Sequence, residues 1–146
     1  MNKDKQILFV CTGNWFRSKF AETYLRSKGY TNVISRGIDV NNNKYKEIRK
    51  LQKINKCVKK KLKQLKLIKF YNYNIVPTQL SNSDIKRSRI TIAMDKKEHR
   101  KAIKSTFSKY SNNVIYWDIS DVDAGDCTKE DTILTKLMIK IDSYFA

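Results

Sequence analysis

Cys11 and Arg17 lie six positions apart, separated by Thr12, Gly13, Asn14, Trp15 and Phe16 and followed by Ser18. A thiol and a guanidinium at that spacing mean little alone; their setting decides what they can do. A short apolar run leads into Cys11 and an amphipathic run leads out of Arg17, so the segment links a strand to a helix. Gly13 and Asn14 tolerate backbone angles closed to most residues. Such a loop can curl until successive N–H groups face one centre, forming a nest for an oxyanion. The helix that follows adds positive partial charge at its N-terminus. A thiol held there meets surroundings that favour the thiolate, its reactive form. Arg17 can present a planar fork to two phosphate oxygens, and Ser18 can donate a hydrogen bond to the sulfur as it leaves. A cation at a helix start is itself unfavourable, so Arg17 implies an anion nearby. Cys11 is thus a candidate nucleophile, Arg17 a phosphate clamp, and Thr12, Gly13, Asn14, Trp15, Phe16, Arg17 and Ser18 a phosphate-binding loop. Gly-Lys-Ser/Thr is missing from it, which excludes a Walker nucleotide loop.

The elements that must hold this loop can be read along the chain. Gln6 to Val10 predicts a buried strand, and Arg17 to Lys28 a helix with Phe20, Ala21, Tyr24 and Leu25 on one face and Gly29 as its stop. Val33 to Ser35 predicts a second strand, ended by Gly37. From Lys44 to about Leu67 apolar residues recur every three or four positions, which predicts one long amphipathic helix with Lys56, Lys60 and Lys63 on its wet face. Ser81 starts a short helix through about Arg87. Ile90 to Met94 predicts a central strand, and Asp95 caps a helix through about Phe107. Val114 to Trp117 predicts a fourth strand, Asp118 to Cys127 an acidic loop, and Thr128 to about Tyr144 a closing helix. Strands alternating with helices predict an α/β fold with a parallel sheet and helices on both faces. Ligands of such folds sit beyond the C-terminal strand ends, where the Cys11 loop and the acidic loop both lie.

Composition narrows the class. A chain of 146 residues, 40% hydrophobic, is the size of one globular domain, here taken as residues 1–146. No apolar run reaches the ~20 residues of a membrane span, and the N-terminus lacks a signal-peptide pattern, so a cytoplasmic protein without membrane insertion is expected. Cys11, Cys57 and Cys127 are an odd, sparse set that makes a poor disulfide framework. With His99 as the single histidine and no Cys-x-x-Cys pair, neither a metal nor another cofactor is expected. Lys plus Arg number 31 against 14 Asp plus Glu, a net charge of +17. Such a field attracts anions, from acidic proteins to nucleic acid, although no nucleic-acid motif accompanies it.

Phe9-Val10-Cys11-Thr12-Gly13-Asn14, with Arg17-Ser18 and Ala21-Glu22, resembles the signature of the low-molecular-weight protein tyrosine phosphatases. Other Cys-x5-Arg phosphatases usually place His before the cysteine and the motif late in the chain; here Val10 precedes it and the motif follows the first strand. Ser35-Arg36-Gly37, Gln79-Leu80-Ser81, Ile92-Ala93-Met94-Asp95, His99 and Tyr116-Trp117-Asp118-Ile119-Ser120-Asp121 extend the likeness over most of the chain. The resemblance implies a three-layer sandwich with a four-stranded parallel sheet in the order 2-1-3-4. It implies hydrolysis of phosphotyrosine through a phosphocysteine on Cys11, with inorganic phosphate as product and a phosphotyrosine protein as partner; the basic charge of the chain, not the resemblance, points to an acidic one. Asn14, Ser18 and Ser35 would support the loop. Asp121 falls at the general acid, a role that a phenolate leaving group of pKa about 10 makes valuable. Asp123 is the alternative acid; Asp118 and Asp126 share the loop. The family's usual proline after the acid is replaced by Val122, and no second cysteine lies within the phosphate loop. Trp15 instead offers an aromatic wall for a substrate ring. Two other functions stay in view. A thioredoxin-coupled arsenate reductase shares the Cys-Thr-Gly-Asn opening but needs a redox cysteine pair after the third strand, which this chain lacks. A non-enzymatic anion or nucleic-acid binder would need only the basic surface.

Overall fold

A computed structural model describes residues 2–41, 47, 54–121 and 127–146. Four strands form one parallel sheet: β1 (Ile7–Cys11), β2 (Val33–Gly37), β3 (Ile90–Ala93) and β4 (Val114–Tyr116), in the order β2-β1-β3-β4. Among the described residues the helices are α1 (Arg17–Ser27), α2 (Lys56–Gln64), α3 (Asn82–Arg87), α4 (Lys96–Thr106) and α5 (Thr128–Tyr144).

The central strand β1 explains the layering. Its five residues are all buried, and the two-residue period of a strand divides them between two cores. Ile7, Phe9 and Cys11 join Phe20, Leu25, Val58, Leu62, Leu134 and Ile141, so α1, α2 and α5 cover one face. Leu8 and Val10 join Leu80, Ile85, Ile103 and Phe107, so α3 and α4 cover the other. Each large side chain buried this fully contributes roughly 1.5–3 kcal/mol. Cys11 is thereby fixed at the C-terminal end of the most buried strand, facing the α1 layer. No helix of the described residues is long and apolar enough to cross a membrane.

Helix boundaries follow their caps. Gly29 leaves α1 with φ +94°, a conformation that suits glycine. Ser81 and Asp84 form a reciprocal capping box on α3, and the Asp95 side chain accepts the Lys97 N–H at the start of α4. The long helix predicted over 44–67 does not form as one piece. Asn55 has an extended ψ of 128°, and its side chain accepts from the N–H groups of Cys57 and Val58, so α2 begins at Lys56. It ends when Lys66 turns left-handed (φ 60°), with Leu67 N–H bonded to Leu62 O and Lys66 N–H to Lys63 O. Residues 44–46 and 48–53 of that predicted helix lie outside the described residues.

The cysteines also depart from expectation. Cys57 and Cys127 form a disulfide, their Cα atoms 5.3 Å apart across a sequence separation of 70. The fold brings the first turn of α2 to the N-terminus of α5, a proximity that spacing in sequence does not announce. Cys11 stays a free, buried thiol.

Candidate active site

The loop after β1 is held from three sides. Ile38 and Asp39 donate N–H bonds to the carbonyls of Cys11 and Thr12, at 3.0 and 2.9 Å. Asn14, wholly buried, takes the left-handed conformation (φ 54°); Gly13 does not. The Asn14 amide then works in both directions. It donates to Ser18 Oγ at 2.9 Å and accepts the Thr78 N–H at 2.8 Å. Ser18 Oγ lies 3.0 Å from Cys11 Sγ, so Thr78, Asn14, Ser18 and Cys11 form one connected chain of polar contacts. Gly37 packs directly beneath. A Cβ there would sit 2.6 Å from Thr12 O and 3.0 Å from Asn14 N.

Helix α1 starts at Arg17 with no side-chain cap on Phe16 and no acidic residue in its first turn. Arg17 is nevertheless only 2% exposed. Its guanidinium meets the Glu98 carboxylate edge to edge, Nη1 to Oε2 at 2.9 Å and Nη2 to Oε1 at 2.8 Å, and donates to Ile119 O at 2.9 Å. Neither partner uses Nε. Asp121 Oδ2 stands 3.9 Å from Nη2. Burial alone would lower the Arg17 pKa, but the hydrogen bond to Glu98 and the charges of Cys11, Glu98 and Asp121 outweigh it and raise it.

Glu98 was invisible as a site residue in the sequence, because it sits in the run Lys-Lys-Glu-His-Arg-Lys and reads as helix surface. The Thr12 hydroxyl donates to Oε1, and His99 Nε2 lies 3.0 Å from Thr12 Oγ1 and 3.3 Å from Oε1. The Asp95 N–H donates to His99 Nδ1, which leaves the ring hydrogen on Nε2, pointing at Thr12 and Glu98. Burial by itself would raise the Glu98 carboxyl; hydrogen bonds from His99, Arg17 and Thr12 instead hold it well below the ordinary carboxylate range. It is an ionised partner for Arg17 at neutral pH.

The other predicted residues divide clearly. Trp15 and Phe16 are half-buried on the loop, Phe16 against the α1 core. Ser35 is not part of the loop network. It donates to Glu22 at 2.6 Å, because that carboxylate is buried in α1 and needs a donor; the Arg26 guanidinium adds an ion pair at 3.5 Å. Thr78, which sequence reasoning did not single out, holds the Asn14 carbonyl through its backbone N–H, a group carried by every residue but proline. Arg36 turns to Asp84 at 3.2 Å. Of the acidic loop, Asp121 lies beside Arg17, whereas the Asp118 carbonyl accepts from Lys136 Nζ at 2.8 Å and its carboxylate lies 3.7 Å from the same ammonium. Asp123 and Asp126 lie outside the described residues. The segment after β3 carries Asp95, Glu98 and His99 and no cysteine. No group of three or more His, Cys, Asp or Glu among the described residues is placed to hold a metal.

Solved structures share this architecture. Wzb of Vibrio vulnificus, in complex with benzylphosphonate, superposes with a TM-score of 0.78 at 17% identity, covering 96% of both chains. A low molecular weight protein tyrosine phosphatase of T. tengcongensis gives 0.76 at 19% identity, covering 97% of this chain and 98% of its own. The YwlE arginine phosphatase of Geobacillus stearothermophilus gives 0.75 at 23% identity, covering 94% and 88%. At these identities the likeness establishes the fold. No curated protein matches the chain significantly in sequence. The family model for low molecular weight phosphotyrosine protein phosphatases matches residues 6–128, from the start of β1 to the start of α5. The chain therefore belongs to the low molecular weight phosphotyrosine protein phosphatase family, and is a phosphatase.

Proposed function

We propose that this phosphatase acts in the cytoplasm as a single domain, and removes phosphate from tyrosine in proteins through a phosphocysteine on Cys11. The observation that carries the reading is the conjunction of Cys11 Sγ at 3.0 Å from Ser18 Oγ, a buried Arg17, and Asp121 at 3.9 Å from that guanidinium. Nucleophile and anion clamp come from the loop after β1, and the acid from the segment after β4, at the same edge of the sheet.

In the first step the Cys11 sulfur attacks phosphorus and the bond from phosphorus to the phenolic oxygen breaks. Asp121, in its acid form, gives that oxygen a proton. The loop N–H groups, the α1 N-terminus and Arg17 hold the three remaining oxygens. Asp121, now a carboxylate, takes a proton from water as the water oxygen attacks phosphorus. The sulfur–phosphorus bond breaks, Ser18 donates to the departing sulfur, and inorganic phosphate is released. The roles of Thr12, Gly13, Asn14, Trp15 and Phe16 are to shape the cradle and its mouth.

Asp121→Asn tests the assignment. Its loss of kcat should be largest for esters with poor leaving groups and small for activated ones, at roughly 10²–10⁴-fold for a phenolate. An equal loss across all leaving groups refutes Asp121 as the acid. Phosphoarginine is the second reading, favoured by the arginine phosphatase among the structural neighbours. Matched phosphotyrosine and phosphoarginine peptides decide between them.

A further inference from the structure

The outward face of α4 carries Lys96, Lys97, Arg100, Lys101 and Lys104, and these five residues line one open surface depression of about 600 Å³. Their spacing puts like charges at i,i+4 three times (Lys96/Arg100, Lys97/Lys101 and Arg100/Lys104), an arrangement that destabilises a helix. Lys96 and Lys97 also sit in the first turn, where the helix dipole disfavours cations. The one acidic residue of α4, Glu98, is turned inward onto Arg17. Among the described residues no salt bridge joins any of the five to a carboxylate, although the chain pairs Lys28, Arg36, Lys61 and Arg87 elsewhere.

The position of this face matters as much as its charge. The Lys96 N–H donates to Trp117 O, and Asp95 bridges to Asp118, so the start of α4 is stitched to the end of β4 that leads to Asp121. The inner side of the same turn carries Glu98 and His99, which contact Arg17 and Thr12. The cations therefore begin at the rim of the phosphate site and run away from it. From Lys97 to Lys104 the helix rises ~10 Å, the reach of about three extended residues.

We propose that the α4 face is a docking surface for an acidic stretch of the substrate protein, beside its phosphorylated residue. This rests on the phosphatase reading of the Cys11 site and adds to it what selects among phosphoproteins. A short run of Asp or Glu would replace the missing counter-ions on α4 while the phosphate sits in the loop. Such a surface acts on KM and on association rate, and leaves the chemical step alone.

The test compares phosphotyrosine peptides flanked by four Glu with the same peptides flanked by four Gln, at low salt. Wild-type protein should show a KM lower by about tenfold for the Glu set, shrinking as salt rises. The variant Lys97→Glu/Arg100→Glu/Lys101→Glu should lose or invert that preference while hydrolysing p-nitrophenyl phosphate as wild type does. A fluorescent, unphosphorylated Glu-rich peptide, followed by anisotropy, should bind wild type and not the variant, a readout that survives even if phosphotyrosine is not the substrate. If p-nitrophenyl phosphate is untouched by wild type, the phosphatase reading fails while this binding arm still decides the docking claim. Equal KM for both peptide sets together with no anisotropy change overturns the proposal. So does binding of an RNA oligonucleotide that depends on these three positions when acidic peptide binding does not.

Discussion

Replacing Glu98 by Gln probes how Arg17 is kept in register. The side chain keeps its shape and one acceptor oxygen, but the second oxygen becomes an NH₂ that faces an N–H of the guanidinium. One of the two bonds at 2.8 and 2.9 Å is lost, and the other loses its charge. Hydrogen bonds to charged groups are worth about 1.5–3 kcal/mol. Glu98 is 29% exposed, so water softens the loss and the lower part of that range applies, ~1.5–2 kcal/mol. Converted, that is a fall of about 10- to 30-fold in kcat/KM for p-nitrophenyl phosphate, with vanadate inhibition weakened by the same factor. A Glu98→Asp variant keeps the charge and should recover part of the loss. The pH dependence of stability gives a second readout. The folded carboxyl is held below its ordinary value, so its stabilising contribution is complete above the unfolded pKa of about 4.3 and is lost as pH falls below it. Wild type and Glu98→Gln should differ by a constant free energy from pH 7 to about 5 and converge in stronger acid. Unchanged kcat with tighter vanadate binding would refute the reasoning, since it would mean that Glu98 occupies the place of the phosphate and does not orient the arginine.

Two further outcomes follow from the packing. Gly37→Ala drives a Cβ against Thr12 O and Asn14 N, both backbone atoms, so the phosphate loop must shift; we expect ~1–3 kcal/mol of lost stability in urea melts and a larger loss of kcat than of substrate affinity. Opening the Cys57–Cys127 bridge, by dithiothreitol or by Cys57→Ser, frees a loop whose ends are 70 residues apart, which should cost about 4 kcal/mol of stability. Melts that coincide with and without reductant would show that the two thiols are not joined in solution.

Much of the fold was legible because its signals are local. The all-apolar β1, the Phe20, Ala21, Tyr24 and Leu25 face of α1, and the whole of α5 at Thr128–Tyr144 came from periodicity and capping residues. Cys11, Arg17 and Ser18 were legible because loop chemistry needs those types in that order. What escaped depends on distance in sequence. Glu98 meets Arg17 across 81 residues, and Cys57 meets Cys127 across 70. Thr78 acts through its backbone, and Ser35 was claimed by Glu22, a buried carboxylate that residue type alone does not reveal. Asn55 caps the start of α2 inside a stretch that hydrophobic spacing carries straight through, because period and cap are separate signals.

Direct capture of the covalent intermediate tests the central claim. Asp121→Asn protein mixed with p-nitrophenyl phosphate, quenched in acid and digested, should show by mass spectrometry one phosphoryl group on the peptide containing Cys11, and Cys11→Ser should release no phosphate. Phosphate release by Cys11→Ser protein, or a phosphoryl group on any residue but Cys11, would contradict the account.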